Sequence, residues 1–431
     1  MLNLLGSSMK FCDGMSRRNF LQIGAFGAGL TLADMLRAKA QASNVPDRVG
    51  ASTPTKSAIM IYLPGGPSHL DMYDIKTEAP VEYRGEFRAI QTNVPGVQIC
   101  EHFPRQARMW DKLSCIRSIV SVDEHSDSLV MTGYSENTNR ISHHPSFGSV
   151  MSRLRGNANA DIPPFVSLRG MSIGCEPGYL GVAHRAFQPS GAGMANLTFP
   201  AGVNTERSGD RRDLLERFDT TRREIDQTGS MRGMDAFTQR AFDMVASGST
   251  RRALDLSAED MRTRDRYRGI EQFLTARRLV ESGVGCVTLA YGGWDTHERN
   301  FETLRRQLPE LDRGIANLVQ DLHDRGMDRD TAVVVWGEFG RTPRVNGNMG
   351  GRDHWGPLMG AMVAGGGLRM GQAIGASSAR GEYPRDRRYS ASQVLSTLYR
   401  SMGIDASMTF PNGSGRPMYI LDDREPVTEL L

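Results

Sequence analysis

A chain of 431 residues with 39% hydrophobic and 23% charged side chains can bury a large core, which excludes a disordered chain and a membrane-embedded one. Its formal charge of +3 resides wholly in residues 1–40, where Lys10, Arg17, Arg18, Arg37 and Lys39 face only Asp13 and Asp34. The remainder is neutral, so no nucleic-acid partner is expected.

The chain opens on Ser16-Arg17-Arg18-Asn19-Phe20-Leu21, a twin-arginine pattern, followed by the weakly apolar run IGAFGAGLTLADML and small residues around Ala38, Ala40 and Ala42. The run is too short, and too interrupted by Asp34, to make a stable span of roughly 20 apolar residues. A signal peptide over 1–42, recognised by the twin-arginine export machinery, delivers the protein to the periplasm or the medium. Residues 43–56 then form a polar linker ahead of a domain over 57–431. Cys12 leaves with the signal. Cys100, Cys115, Cys175 and Cys286 are widely spaced, without a CxxC pair, and are either buried thiols or disulfide partners.

The first strand is Ser57 to Leu63, running into Pro64-Gly65-Gly66-Pro67, a turn that permits close backbone approach. His69, Asp71 and Asp74 follow it as potential ligands, or as ordinary turn residues. Leu113 to Val120 is a second strand, and Asp123, Glu124, His125, Ser126 and Asp127 come directly after. A hydroxyl or carboxylate there suits a metal-assisted nucleophile, because a cation lowers the pKa of an oxygen bound to it. Ser126 or Asp127 equally suits a helix N-cap. Residues 161–181 read as strand and loop. Residues 201–269, rich in Arg, Asp and Glu, read as a helical excursion whose charges form a solvated face. Leu274 to Leu279 belong to a helix returning to the sheet.

Gly285 to Ala290 is the next strand, and Tyr291-Gly292-Gly293 turns the chain so that Asp295 and His297 sit on a loop at its end. Phe301, Leu304, Leu308, Leu311, Ile315, Leu318 and Leu322 then mark one amphipathic helix, bent near Pro309. Thr331 to Trp336 is a buried parallel strand. This βαβ order brings Asp295 and Glu338 out on the same sheet edge, where ligands of α/β sheets bind. Asp353 and His354 lie on a glycine-rich loop able to fold back to them. Asp295, His297 and His354 suit a divalent metal, zinc or manganese before calcium or magnesium; hydrogen-bonded structural groups are the alternative. Arg341 either neutralises an oxyanion or pairs with Glu338. Ser390 or Ser392 caps a last helix through Val394, Leu395, Leu398 and Met402.

The order LPGGPSHLD, HSDSLVMTGY, GWDTH, GEFGRTP and GRDHW resembles the exported bacterial family DUF1501, whose fold is similar to the alkaline phosphatase and sulfatase superfamily. The resemblance implies an alkaline phosphatase-like α/β fold: a doubly wound, mostly parallel sheet flanked by helices, with metals at the strand ends and hydrolysis of phosphate or sulfate esters. It implies Asp71, Asp295, His297, Glu338 and His354 as metal ligands. Asp123, His125 and Ser126, just ahead of Thr132-Gly133, are similar to the nucleophile segment, and Arg341 joins them as a catalytic candidate. Two departures stand out. Phe339 follows Glu338 where the superfamily has a histidine, and no CxPSR sequence is present for formylglycine formation. The expected function is therefore an exported metal-dependent hydrolase of small-molecule or polysaccharide esters. The alternative is a non-catalytic binding or assembly protein that keeps the fold with a degraded site.

Overall fold

Apolar and β-branched runs form the strands of one eight-stranded sheet in the computed structural model, which describes residues 56–156, 161–168, 170–190 and 247–431, all within the unit Thr55–Leu431. The twin-arginine segment and residues 201–246 of the helical excursion lie outside the described residues. The strands are β1 (Ser57–Tyr62), β2 (Leu113–Val120), β3 (Phe165–Ser167), β4 (Cys286–Ala290), β5 (Thr331–Trp336), β6 (Met359–Gly365), β7 (Gln372–Ile374) and β8 (Tyr389–Ser390). Their order is β7-β2-β6-β5-β1-β4-β3, with β8 also beside β2. Every pairing is parallel except those of β6, which runs antiparallel to both β2 and β5.

Both faces are covered, as a mostly parallel sheet requires. The principal helices are α1 (Ser128–Thr132), α2 (Phe147–Arg155), α3 (Glu271–Glu281), α4 (Asn300–Asp324) and α5 (Ala391–Ser401). Alternation along β1 sends Ile59 and Ile61 into one core with Phe273 and Leu279 of α3 and Leu308 and Ile315 of α4. Ala58, Met60 and Tyr62 enter the other with Val130 of α1, Phe147 and Val150 of α2, and Leu395 and Leu398 of α5. The seven apolar residues that mark α4 in the sequence are all buried, each worth about 1.5–3 kcal/mol as an upper estimate. Pro309 lies inside that helix. Ser390 caps α5 in a reciprocal box with Gln393.

Within residues 247–269 two short helices, Ser249–Leu254 and Met261–Arg266, replace a purely solvated face. Glu259 there pairs with the buried Arg277 at 2.8 Å, and Arg266 reaches Asp321 of α4 at 2.7 Å. These charges fasten the segment to the sheet domain. The four cysteines after Cys12 are buried free thiols. Among the described residues no helix is long and apolar enough to cross a membrane.

The site follows from the register. Tyr62 stands opposite both Ala290 and Trp336, so β1, β4 and β5 end together and the loops after them leave one sheet edge.

Candidate metal centre

The turn after β1 is shaped by contacts that admit no side chain. Gly65 and Gly66 have φ of +99° and +72°. A Cβ on Gly65 would lie 2.5 Å from Asp295 N, and one on Gly66 would lie 2.2 Å from the Phe339 ring. The close approach that two glycines allow is thus to the neighbouring loops. Both amides donate to the Glu338 carboxylate, at 2.7 and 3.3 Å. Burial raises the Glu338 pKa, against the lowering effect of these amides and of the Tyr62 hydroxyl.

Arg341, fully buried, faces the same turn from the other side. Its Nε donates to Gly66 O at 2.9 Å and its Nη1 to Arg352 O at 3.0 Å, while Nη2 is shared between Gly65 O and Asp295 Oδ1, the latter at 2.5 Å. Its ion-pair partner is therefore Asp295. Partial burial pushes the Asp295 pKa up, but the Arg341 bond and charge outweigh it and hold the carboxyl below its ordinary range.

Asp295 is the centre of a converging set. Its Oδ1 lies 3.0 Å from His297 Nε2 and 3.2 Å from His354 Nε2, and those two nitrogens are 3.0 Å apart. On the far side of each ring, Nδ1 meets a second carboxylate: His297 meets Asp353 at 2.7 Å and His354 meets Asp123 at 2.8 Å. His125, half exposed, lies with Nε2 3.7 Å from Asp295 Oδ2 and Nδ1 3.6 Å from Glu338 Oε1. Its ring abuts that of His354 at 4.4 Å, and His125, Asp295 and His354 can each offer one ligand atom within 4.8 Å of the others.

The donor chemistry of this set fits a cation. A carboxylate at Nδ1 draws the ring proton there and leaves the Nε2 lone pair facing the centre. Two such lone pairs and a carboxylate oxygen within 3.2 Å of one another repel unless a proton or a metal ion lies among them. Tetrahedral zinc with nitrogen ligands at 2.0–2.1 Å separates those ligands by about 3.3 Å, close to the spacing seen.

The other residues singled out in the sequence lie around this centre in distinct roles. Asp71 is buried, with both oxygens bound by the Arg352 guanidinium at 2.9 and 3.1 Å, and further bonds from Ser68 Oγ at 2.6 Å and Asn300 Nδ2 at 2.9 Å. Ser126 Oγ, also buried, accepts from Ser128 N at 3.2 Å at the start of α1. Asp127 turns away to accept from Ser172, Ile173 and Gly174 amides. The chain thus brings Asp123, His125, Asp295, His297, Glu338, Arg341 and His354 together. Sequence reasoning missed Asn346, which bonds Asp353 and His297 O at the site, and Arg352, the buried partner of Asp71 beside it. Their position in NGNMGGRDHW, beside two site residues, is the available signal.

The family model described as Protein of unknown function (DUF1501) matches residues 55–431. No curated protein matches the chain. Among solved structures, the chain is similar to the lipoteichoic acid synthase LtaP from Listeria monocytogenes, at 10% identity and a TM-score of 0.34, over 87% of this chain and 78% of that one. It is similar to the PsFucS1 sulfatase from Pseudoalteromonas sp. at 10% identity and a TM-score of 0.35, over 81% of this chain and 68% of that one. The PH0037 protein from Pyrococcus horikoshii aligns at 11% identity and a TM-score of 0.32, over 81% of this chain and 97% of that one.

Proposed function

Starting from the fact that this chain belongs to the DUF1501 family, whose description states no activity, we propose from its site that it is a metal-dependent hydrolase of phosphate or sulfate esters acting outside the cytoplasm. The observation that carries the reading is the convergence of Asp295 Oδ1, His297 Nε2 and His354 Nε2 within 3.2 Å, with a carboxylate behind each imidazole. Zinc or manganese suits the mixed imidazole and carboxylate set. A bound cation would polarise the ester and lower the pKa of an oxygen ligand.

The chain's own groups supply the rest. Arg341 fixes Asp295, so the carboxylate does not swing into solvent. Glu338, clamped by the Gly65 and Gly66 amides, flanks His125 and limits its tilt. His125, open to solvent at the mouth of the cluster, is placed to hold a proton beside an ester oxygen. Ser126 is buried at the start of α1, whereas His125 opens to solvent, so water is the attacking oxygen in this reading, and the products are the free acid anion and the alcohol. Substrates are esters of small molecules or polysaccharides. Export rests on Arg17 and Arg18, and lysine at both positions is expected to hold the protein in the cytoplasmic fraction.

The test is elemental analysis of the mature protein, made with its export signal intact, followed by a panel of phosphate and sulfate esters. About one or two metal equivalents with ester turnover that a chelator abolishes supports the reading. Protein without metal after reloading overturns it. Metal without turnover of any ester leaves the alternative, a binding protein that keeps a metal site.

A further inference from the structure

Resting on that reading of the cluster, we propose that Asp353 and Asp123 are positioning residues: each holds the Nδ1 proton of one histidine and so aims the opposite ring nitrogen at a shared metal ion. The two ring nitrogens of an imidazole point in diverging directions, so a carboxylate bonded at Nδ1 cannot share an ion with Nε2 of the same ring. Asp353 at 2.7 Å from His297 Nδ1 and Asp123 at 2.8 Å from His354 Nδ1 both stand on that outer side. Carboxylate–histidine–metal relays of this kind fix the tautomer and the ring plane and raise ligand basicity.

The wiring is crossed. Asp353 and His354 are neighbours in the chain, yet Asp353 serves His297 after β4, while His354 takes its partner from the loop after β2. Three loops are thereby closed into one ring around Asp295.

The two arms differ in support. Asn346 Nδ2 donates to both Asp353 oxygens at 3.3 Å and to His297 O at 2.9 Å. The Asp353 backbone is held by Thr342, whose Oγ1 accepts from Asp353 N at 2.9 Å and whose N donates to Asp353 O at 2.8 Å. The two carboxylate side chains differ little in exposure, 53% for Asp353 and 62% for Asp123, so it is the Asn346 and Thr342 bonds that preorganise the Asp353 arm. The preorganised arm contributes more to affinity, because less freedom is lost when the metal binds.

The experiment is zinc titration by competition with a chromophoric chelator on the full-length mature protein and its Asp353→Ala, Asp353→Asn and Asp123→Ala variants. Thermal melts confirm that each variant is folded. Asp353→Ala is expected to weaken zinc by about 10–100-fold, and Asp123→Ala by less. Asp353→Asn falls between parent and alanine, because its amide oxygen still accepts from Nδ1–H. In parallel, ¹⁵N spectra of the metal-free, histidine-labelled protein should show the His297 proton on Nδ1 in the parent and released from it in Asp353→Ala. If the parent binds zinc and Asp353→Ala binds it equally, the positioning role is overturned while the metal reading stands. If the parent binds no zinc, both fall. If Asp353→Asn is as weak as Asp353→Ala and the tautomer does not change, Asp353 is a direct ligand and the inference is wrong.

Discussion

Asp71 and Asp295 are the same residue type, each on a loop leaving the same edge of the sheet, and each is picked out in the sequence as a metal carboxylate. Their surroundings are opposite. Asp71 is fully buried, and its oxygens are taken by Arg352, Ser68 and Asn300. Asp295 is nearly half exposed, anchored by one guanidinium and facing two imidazole nitrogens. A carboxylate saturated by buried donors ties loops together, whereas one anchored on a single side keeps lone pairs for a ligand. The arginines divide in parallel: Arg352 closes the scaffold and Arg341 serves the site.

The sharpest way to break this contrast is to remove Arg352. Arg352→Ala strands the Asp71 charge in a dry interior, and a destabilisation of about 3–5 kcal/mol is expected in urea unfolding. Zinc stoichiometry of the molecules that remain folded should not change. A loss of zinc equal to that from removing a cluster histidine would put Asp71 among the ligands. The complementary change, His354→Ala, should cost about 1 kcal/mol in metal-free buffer, because the side chain is only 20% exposed and its Asp123 bond and its packing on Phe339 are lost. It should weaken zinc by at least about 100-fold, one ligand's share of a typical zinc-site affinity. Equal zinc affinity in parent and variant would remove His354 from the site.

What the sequence made legible follows the same line. The runs LSCIRSIV and TAVVVW mark β2 and β5 to the residue, because β-branched and apolar side chains announce a buried strand locally. The strand β6, Met359–Gly365, is glycine, alanine and methionine with one valine, Val363, and carries too little of that signal to be legible. Its antiparallel direction is set by the long-range pairing with β2 and β5. Strand-end placement is enough to expect Asp295, His297 and His354 at one sheet edge, and their side chains converge there. The Asp123 partner of His354 is not legible, and neither is the Arg352–Asp71 pair of the scaffold, since each meets across more than two hundred residues of chain. Arg341 was expected to face an oxyanion or Glu338 and instead grips Asp295, a choice made by the fold of the Pro64–Pro67 turn.

That turn offers a milder test. Gly66→Ala would drive a methyl group into the Phe339 ring and force a residue other than glycine to a φ of +72°. A loss of about 1–3 kcal/mol is expected. Because the same turn donates to Glu338 and receives Arg341, zinc affinity should fall with it. Destabilisation with unchanged zinc binding would separate the turn from the site.

The imidazoles repeat the contrast between saturated and open groups, and they give the smallest effect. His144 is buried with its ring stacked on Tyr134 at 3.5 Å and Nδ1 3.2 Å from Tyr179 Oη. Burial pushes its pKa down from the ordinary 6.5 to about 4, with Asp422 pulling weakly the other way. Above pH 6.5 the ring is neutral in folded and unfolded chains, so it adds no pH dependence. Between pH 6.5 and 4 the unfolded chain takes up a proton that the folded one refuses, so stability falls as pH falls, and the loss levels off below pH 4. His144→Phe keeps the stack on Tyr134 and removes the titration. The difference between parent and variant stability, followed by urea unfolding in metal-free buffer from pH 7 to 4, should therefore narrow toward acid by about 1–2 kcal/mol. A difference constant across that range would mean that His144 takes up its proton as readily in the folded chain as in the unfolded one, and that burial alone does not separate it from the histidines around Asp295.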